Sequence, residues 1–353
     1  MADVRATPDA EPATLAGYDV IIDTRSPSEF ALDHIPGAVN LPVLSDAERA
    51  EVGTIYVQES RFKARRIGGA YVARNVARHL ETVMIDWPAS HQPLVYCWRG
   101  GMRSNAMALI LAQVGWRAGV LAGGYRTYRH RVVQGLYEGR PVSQVILLDG
   151  HTGSGKTEVL TRLAAHGVQT LDLEGLAAHR GSLFGGLPGR PQPSQKLFES
   201  RLLAAIEALD PDRPVVVEAE SSKVGQLMVP PVLWSAMEAA PRTVLTAPIE
   251  ARARYLARLY ADQGREPEAL IALLSRLPDR PGRKRLEAWT ALAQAGDLET
   301  LAAALIETHY DPAYRRSAKK AEGSVIARID LDALDAAAFD RTAAAVAAIV
   351  ASR

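Results

Sequence analysis

The stretch that most restricts the fold of this chain is GHTGSGKT, residues 150–157, which matches the pattern G-x-x-x-x-G-K-[S/T]. The apolar run QVILLDG (144–150) leads into it, and the helix-like EVLTRLAAHG (158–167) follows. A strand, a glycine-rich loop and a helix in this order surround a diphosphate with backbone N–H groups. The sequence therefore predicts a P-loop α/β domain. The predicted diphosphate ligands are Gly150, Gly153, Ser154, Gly155, Lys156 and Thr157.

The residues beyond this loop do not specify nucleotide hydrolysis. Lys156 would neutralise the diphosphate, and Thr157 could bind Mg²⁺. The strand-like PVVVEAES (214–221) ends in Glu218 and Glu220, where a nucleotide-hydrolysing enzyme usually carries an aspartate. We expect diphosphate binding, with a nucleotide or another diphosphate as the ligand.

The only cysteine of the chain lies in YCWRGGMRS, residues 96–104. The run PLVYC (93–97) predicts a strand that ends at the cysteine, and NAMALILAQVG (105–115) predicts a helix after it. Loop amides and a helix N-terminus favour a thiolate, and two glycines allow the loop to curl into an anion cradle. The cradle would hold phosphate, or a sulfur or selenium atom carried on the cysteine. The predicted catalytic set, which includes no metal ligand, is Cys97, Arg99, Gly100, Gly101 and Arg103.

Composition limits the class of protein. Of 353 residues, 48% are hydrophobic and 23% charged, as in soluble globular chains. A single cysteine excludes an intramolecular disulfide and a cysteine-based zinc cluster, and it fits a reducing compartment. Without a long apolar run or a signal-like segment, the sequence predicts a cytoplasmic protein with no membrane partner.

Charge is unevenly distributed although the net charge is only +1. Between Ser60 and Tyr137 the only acids are Glu81 and Asp86. A basic window around Cys97 predicts a polyanionic substrate at that site. The twelve basic residues of the window are Arg61, Lys63, Arg65, Arg66, Arg74, Arg78, Arg99, Arg103, Arg117, Arg126, Arg129 and Arg131.

Strands alternate with helices in two parts of the chain, which predicts two α/β domains with parallel sheets. The linker is expected near 135–143. The expected parts are a loose tail (1–15), a first domain (16–138) containing a basic insertion (46–80), and a P-loop domain (144–353) with a helical segment at about 250–320.

Two segments of the second part have candidate roles. The glycine- and proline-rich stretch 178–200 is expected to be a loop that closes over a ligand. The stretch 308–320 contains Tyr310 and Tyr314 beside a basic cluster, a combination that can stack on RNA bases.

The first part resembles a rhodanese domain. DTRSPSEFALDHIPGAVNLP (23–42), VYCWRGGMRS (95–104) and AGVLAGGYRTYR (118–129) resemble the opening, the active-site loop and the closing strand of that family. The resemblance implies a rhodanese-like domain followed by a P-loop NTPase-like α/β domain with helical additions. One departure is that five residues separate Cys97 from Arg103, where rhodaneses have four. Cys-x5-Arg-Ser is the spacing of cysteine phosphatases, although Tyr96 stands where those enzymes usually have histidine.

Over nearly its whole length the chain resembles tRNA 2-selenouridine synthases, through CWRGGMRSNAM, GSGKT, HRGSLFG and HYDPAY in that order. The resemblance implies a transferase that converts wobble 2-thiouridine to 2-selenouridine. It implies S-geranylation by geranyl diphosphate, then selenation from selenophosphate through selenium bound to Cys97. The implied partners are the anticodon arm of tRNA and a selenophosphate-producing enzyme.

Two alternatives remain at this point. One is a cysteine phosphatase with a nucleotide-regulated P-loop domain, which would need an acid to protonate the leaving group; the acid-poor window disfavours it. The other is a non-catalytic RNA-binding module, whose affinity for RNA would not depend on Cys97. The full anion cradle around the cysteine disfavours that reading.

Overall fold

The computed structural model describes residues 4–182, 185–187, 189–261, 267–275, 277, 282–315 and 324–353. The chain divides into two compact units. The first comprises Met1–Glu138 with Ser194–Ala204, and the second comprises Gly139–Pro193 with Ala205–Arg353. The first break falls beside the expected linker, whereas the return of Ser194–Ala204 to the first unit has no counterpart in the sequence-based expectation.

The first unit contains a parallel sheet, as predicted. Strand β4 is fully buried, which explains its continuous apolar sequence. The strands are β1 (Arg5–Thr7), β2 (Val20–Asp23), β3 (Val39–Asn40), β4 (Pro93–Tyr96) and β5 (Gly119–Leu121). Their order across the sheet is β1-β5-β4-β2-β3.

The expectation of a loose tail over residues 1–15 was wrong for the described part of that segment. Strand β1 pairs in parallel with β5, and the Arg5 amide donates to Ala118 O at 3.1 Å. Thr7 is only 2% exposed, and a short helix, α1 (Pro12–Leu15), follows. Composition suggested a tail because Ala, Pro and Asp dominate there, but an open sheet edge can order such a segment through backbone hydrogen bonds.

The basic stretch expected as an insertion forms two helices. Ser45 begins the first with a capping box to Glu48, and Ser60 caps the second through the Lys63 amide. The helices that follow α1 in this unit, these two included, connect or follow the strands, in agreement with the predicted α/β class. They are α2 (Pro27–Leu32), α3 (Asp46–Gln58), α4 (Arg61–Glu81), α5 (Met102–Val114) and α6 (Tyr125–Val133), the last continued by a π-helical turn (Gln134–Glu138).

The second unit contains another parallel sheet and a small antiparallel hairpin. The sheet strands are β6 (Val145–Gly150), β7 (Gln169–Leu171), β8 (Val215–Glu218), β11 (Arg242–Thr246) and β12 (Val325–Asp330), and the hairpin strands are β9 (Lys223–Val224) and β10 (Leu227–Met228). The order across the sheet is β12-β11-β6-β8-β7. The runs QVILLDG, VQTLDLEG, PVVVEAES and RTVLTAP predict β6, β7, β8 and β11. Neither β12 nor the hairpin was predicted, because these strands are short or mixed in polarity.

The helices that begin after residue 150 include those between residues 249 and 305, which lie in the expected helical segment. They are α7 (Lys156–Leu163), α8 (Leu173–Ala177), α9 (Gln195–Glu207), α10 (Pro231–Ala239), α11 (Ile249–Leu259), α12 (Pro267–Leu274), α13 (Arg283–Ala295), α14 (Leu298–Leu305) and α15 (Ala336–Ala351). Short helical turns add Ala164–His166, Ile306–Tyr310 and residues 311–315. The core between the sheet and its helices includes Ile146, Leu148, Val159, Val216 and Phe339.

The loop expected over 178–200 is shorter, because α9 begins at Gln195. Residues 183, 184 and 188 of that loop, and residues 316–323 of the expected basic cluster, lie outside the described residues. The start of α9 belongs to the first unit, where Tyr137 Oη donates to Glu199 Oε1 at 2.7 Å.

None of the helices in the described ranges combines the length and apolar composition that crossing a bilayer requires.

Candidate functional sites

Cys97 lies between the end of β4 and the start of α5, as predicted, and is 3% exposed. Its Sγ accepts hydrogen bonds from the Gly101 amide at 3.2 Å and from Ser104 Oγ at 3.3 Å. Ser104 was not among the predicted site residues, although the Cys-x5-Arg-Ser pattern contains it. The sulfur therefore already receives donors of the kind that an anion requires.

Two opposing effects determine the pKa of the Cys97 thiol. Burial alone would raise it. Hydrogen bonds from the Ser104 hydroxyl and from the amides of Ser104, Arg99 and Gly101 outweigh burial, and the pKa lies below its ordinary value. A thiolate is the nucleophilic form of cysteine, so the site favours reaction at sulfur.

The glycines around Cys97 differ in what they require. Gly100 has φ +64°, and a β-carbon there would lie 2.6 Å from Leu121 O. Gly101 has φ −102°, and a β-carbon there would contact nothing within 4 Å, so the steric reason predicted for this glycine was wrong. Gly124, which follows the closing strand, was missed; a β-carbon on it would lie 2.2 Å from Cys97 O. The glycine pair in AGVLAGGY was the available signal.

The two loop arginines have different surroundings. Arg99 is exposed. Arg103 Nη1 pairs with Glu29 Oε2 at 3.0 Å, and Arg49 pairs with the same carboxylate at 2.9 Å. Burial would raise the pKa of Glu29, but the two guanidinium groups lower it below its usual value. Glu29 therefore stays ionised and is not suited to protonate a leaving group, which weighs further against a phosphatase.

Tyr96 packs in the core instead of activating the thiol. Its side chain is buried, and its hydroxyl accepts from the Ile35 amide at 3.2 Å. Burial raises its pKa well above the ordinary value. The residue in the position usually held by histidine in cysteine phosphatases thus has a packing role.

The P-loop connects β6 to α7, which begins at Lys156. Gly153 has φ +81° and Gly155 has φ +79°. A β-carbon on Gly153 would lie 2.8 Å from Leu256 Cγ, and one on Gly155 would lie 2.3 Å from Phe339 Cε1. Both glycines are therefore required by the conformation and by close side-chain neighbours.

The polar side chains of this loop converge on its centre. Lys156 Nζ donates to Gly150 O at 3.1 Å. Ser154 is 1% exposed, and its Oγ has no hydrogen-bond partner among the described residues. Thr157 Oγ1 donates to Glu218 Oε1 at 2.6 Å and lies 3.1 Å from Glu174 Oε2. The structure brings together all six residues predicted for the diphosphate site around one cavity.

Three carboxyl groups lie next to Lys156 and Thr157: Glu174 at the start of α8, Glu218 at the end of β8, and Glu220. Burial raises the pKa of each above its usual value, and their mutual repulsion adds to the effect. Glu174 was missed by the sequence analysis. Within the described part of the chain, no group of three or more His, Cys, Asp or Glu side chains is arranged to hold a metal ion.

The described part of the aromatic segment, which contains Tyr310 and Tyr314, lies beside the P-loop. The ring of Tyr314 packs on His151 with centroids 4.1 Å apart, and its hydroxyl donates to Asp149 Oδ1 at 3.3 Å. Asp311 accepts from His151 Nδ1 at 2.8 Å and forms a two-pronged ion pair with Arg252 at 2.9 and 2.8 Å. Tyr310 and Tyr314 line the P-loop cavity, which has a volume of about 590 Å³.

These two sites define the class of protein: a rhodanese-like unit whose buried cysteine has a lowered pKa, joined to a P-loop unit. The family model of the rhodanese-like domain matches residues 8–131, and that of the tRNA 2-selenouridine synthase AAA domain matches residues 143–271. The chain belongs to the tRNA 2-selenouridine synthase family, which confirms the resemblance seen in the sequence.

Curated relatives bearing that name cover most of the chain. The protein of Aeromonas salmonicida (strain A449) is 35% identical over 83% of this chain and 86% of its own length. The protein of Pseudomonas syringae pv. syringae (strain B728a) is 34% identical over 85% of this chain and 89% of its own length. For the protein of Nitrosomonas europaea the identity is 38%, over 60% of this chain and 55% of the relative.

Proposed function

We propose that this chain replaces the sulfur of wobble 2-thiouridine in tRNA by selenium, in two substitutions that use its two anion-binding loops. The P-loop binds geranyl diphosphate for the first, and the Cys97 loop binds selenophosphate for the second. The observation that carries the proposal is the presence, in one chain of this family, of a buried thiol with a lowered pKa and a separate diphosphate loop. In a reaction with two anionic donors, the thiol loop would serve selenophosphate and the P-loop would serve geranyl diphosphate.

In the first substitution, the thiouridine sulfur attacks C1 of the geranyl group. The C–S bond forms as the C–O bond to diphosphate breaks, and the N3 proton passes to water. Negative charge develops on the departing diphosphate, where Lys156 and the loop amides stabilise it. The raised pKa values of Glu174, Glu218 and Glu220 lessen repulsion of that diphosphate. No hydrolytic water is needed, which suits a loop without the usual aspartate.

In the second substitution, the selenium of selenophosphate attacks C2 of the alkylated uridine. The C2–Se bond forms and the C2–S bond breaks, so geranyl thiolate leaves. The phosphoryl group that remains on selenium is then transferred to Cys97. The Sγ–P bond forms, the Se–P bond breaks, and selenium keeps the electron pair in 2-selenouridine. Water hydrolyses the phosphocysteine.

Electron balance favours this phosphoryl adduct over the Cys97-bound selenium that the family resemblance implies. Joining a thiolate to selenium at the selenide level releases two electrons, so it needs an oxidant and later a reductant. Neither donor supplies them. The Cys-x5-Arg-Ser spacing and the amide donor at Sγ support a loop that accepts a phosphoryl group.

Helix α4 is proposed to contact the anticodon arm. It buries Ala64, Gly68 and Val76, and its charged residues face outward. Phe62 is 77% exposed at its start, and the Arg61 guanidinium lies 5.6 Å from the ring centroid of Tyr56. Exposed aromatic rings beside cations can stack on unpaired bases while the cations contact phosphates. The exposed arginines of this helix are Arg61, Arg65, Arg66, Arg74 and Arg78.

Nucleoside mass spectrometry tests the proposal. Thiolated tRNA incubated with the protein, geranyl diphosphate and selenophosphate should gain the mass of selenium in place of sulfur. Omitting selenophosphate should leave the geranylated nucleoside. An unchanged thiouridine, with intact selenophosphate verified by phosphorus NMR, would overturn the proposal. Acid quenching during turnover should give a Cys97 peptide with a phosphoryl group; the isotope pattern of selenium on that peptide would instead support the carrier role.

A further inference from the structure

A second, smaller cavity in the P-loop unit adjoins the diphosphate site. Its volume is about 60 Å³. Part of its wall is shared with the P-loop cavity, namely Thr152, Ser182, Leu256, Tyr260 and Tyr310. The rest of its wall comes from α11, α12 and α14: Ala257, Leu270, Leu298, Leu301, Ala302 and Leu305.

The lining suits a hydrocarbon. None of the described residues that line this cavity is charged. The hydroxyls of Ser182 and Tyr260 lie 2.9 Å apart and hydrogen-bond to each other, and the Thr152 carbonyl accepts from Arg252 Nη1 at 3.3 Å. A nucleobase would bring several polar groups into a site whose polar atoms are already engaged, and each unpaired group would cost affinity.

The position of the cavity links it to the P-loop. Leu256 lines both cavities, and it is the side chain closest to a β-carbon built on Gly153 of the loop, at 2.8 Å. Leu259 and Tyr255 continue the apolar side of the larger cavity. A ligand bound through its diphosphate therefore has an apolar surface from the P-loop to the smaller cavity.

We propose that this cavity binds the far end of the hydrocarbon chain of a prenyl diphosphate held by the P-loop, and that it sets the accepted chain length. The inference rests on the proposed function and deepens it by naming the tail site. A volume of about 60 Å³ is roughly twice the ~30 Å³ share of one liquid water, which suits the two terminal methyl groups of such a chain. The remaining carbons of a ten-carbon chain lie along Leu256 and Leu259.

Calorimetric titration with a series of diphosphates tests the site. Geranyl diphosphate should bind roughly 100-fold more tightly than inorganic diphosphate, because each methylene group that is buried increases the binding affinity several-fold. Ala302→Phe fills the cavity and should remove most of that gain, while inorganic diphosphate binds within about twofold of the wild type. Thr300→Phe adds the same ring at an exposed position of α14 and should leave both affinities unchanged.

A second variant tests the same cavity in case Ala302→Phe does not fold. Leu298→Ala enlarges the cavity and should shift the preference from geranyl toward the fifteen-carbon farnesyl diphosphate by at least about fivefold. Equal affinities of the wild type for geranyl and inorganic diphosphate would overturn the inference. An equal loss of ADP and geranyl diphosphate binding in Ala302→Phe would also overturn it, because the cavity would then hold a nucleobase.

The tail site and the proposed reaction can fail separately. If the tail-dependent gain is present and is lost in Ala302→Phe, but no prenylated tRNA forms, the site stands and the proposed function fails. If prenylated tRNA forms while Ala302→Phe retains the full tail-dependent gain, the proposed function stands and the cavity is not the tail site.

Discussion

The Cys97 loop and the P-loop share one architecture and use it in opposite ways. Each joins a buried parallel strand to a helix through glycines with positive φ. In the first loop, the amide of Gly101 is already bound to the protein's own sulfur. In the second, the buried Ser154 hydroxyl has no described partner, and carboxyl groups with raised pKa values stand close by. The first loop stabilises an anion that the chain supplies, whereas the second is proposed to bind an anion that a ligand carries.

The largest effects should come from removing the group that distinguishes each loop. Cys97→Ser should reduce the formation of 2-selenouridine by about 1,000-fold or more, because an alkoxide that could take the phosphoryl group from selenium forms far less readily than a thiolate. Lys156→Ala should reduce prenylation by about 100-fold or more, because charge on the departing diphosphate loses a cation. Both products can be quantified by nucleoside mass spectrometry.

Each variant serves as the control for the other. Cys97→Ser should still form geranylated tRNA, and Lys156→Ala should still selenate tRNA that has been geranylated beforehand. If either substitution stops both steps while the protein stays folded, the division of labour between the loops is wrong.

Adjacent glycines offer a finer test of the Cys97 loop. Gly100→Ala places a β-carbon against Leu121 O at a φ of +64°, so the loop must move. We expect selenation of geranylated tRNA to fall by about 100-fold, as displacement of a reactive group by an ångström can cost. Gly101→Ala meets open space and should keep the rate within about fivefold. Equal losses would mean that the loop requires flexibility instead of this particular conformation.

Local patterns allowed the sequence to predict both loops. The strand-glycine-helix order around Gly155, and the single cysteine at the end of PLVYC, are contiguous signals that do not depend on distant residues. The parallel strands β4, β6 and β8 were predicted because burial on both faces gives them uninterrupted apolar runs.

Features that depend on distant partners could not be predicted. Strand β1 forms only because β5 presents an edge more than a hundred residues away. Glu174 joins the P-loop site across the sheet, and Tyr314 turns toward Asp149 instead of solvent. The apolar cavity is assembled from three helices that are separate in sequence. The residue type indicates the chemistry that a side chain can perform, but it does not indicate which distant residue the side chain will contact in the folded protein.

The carboxyl groups of the P-loop unit make its stability depend on pH. The pKa of Glu218 is raised by burial and then by Glu174, so the folded state keeps a proton that the unfolded state releases. Stability should therefore fall as pH rises from the ordinary glutamate range through the raised pKa. Glu218→Gln keeps an acceptor for Thr157 and removes the charge. At pH 9 it should stabilise the protein by roughly 1–3 kcal/mol, with little effect at pH 5.

Urea denaturation at the two pH values measures this difference. Glu299→Gln, at an exposed position, should leave the pH dependence as it is in the wild type. A Glu218→Gln protein that is less stable than the wild type at pH 9 would show that the ionised carboxylate contributes to the fold. The P-loop unit would then stabilise its own carboxylate as the Cys97 loop stabilises its thiolate, and the two loops would no longer differ in this respect.

The smallest expected effect concerns the hydroxyl that donates to Cys97. Burial raises the thiol pKa, and the Ser104 hydroxyl is the strongest of the groups that lower it. Ser104→Ala should therefore raise the pKa of the Cys97 thiol, because the thiolate loses one hydrogen bond. The pH dependence of iodoacetamide alkylation measures the shift. The rate of selenation, which falls at low pH as the thiolate is protonated, should begin to fall at a correspondingly higher pH. Thr54→Ala, at an exposed helical position, is the control. An unchanged pKa in Ser104→Ala would assign the thiolate to the backbone amides alone, and the Cys97 loop would then resemble the P-loop in relying on its main chain.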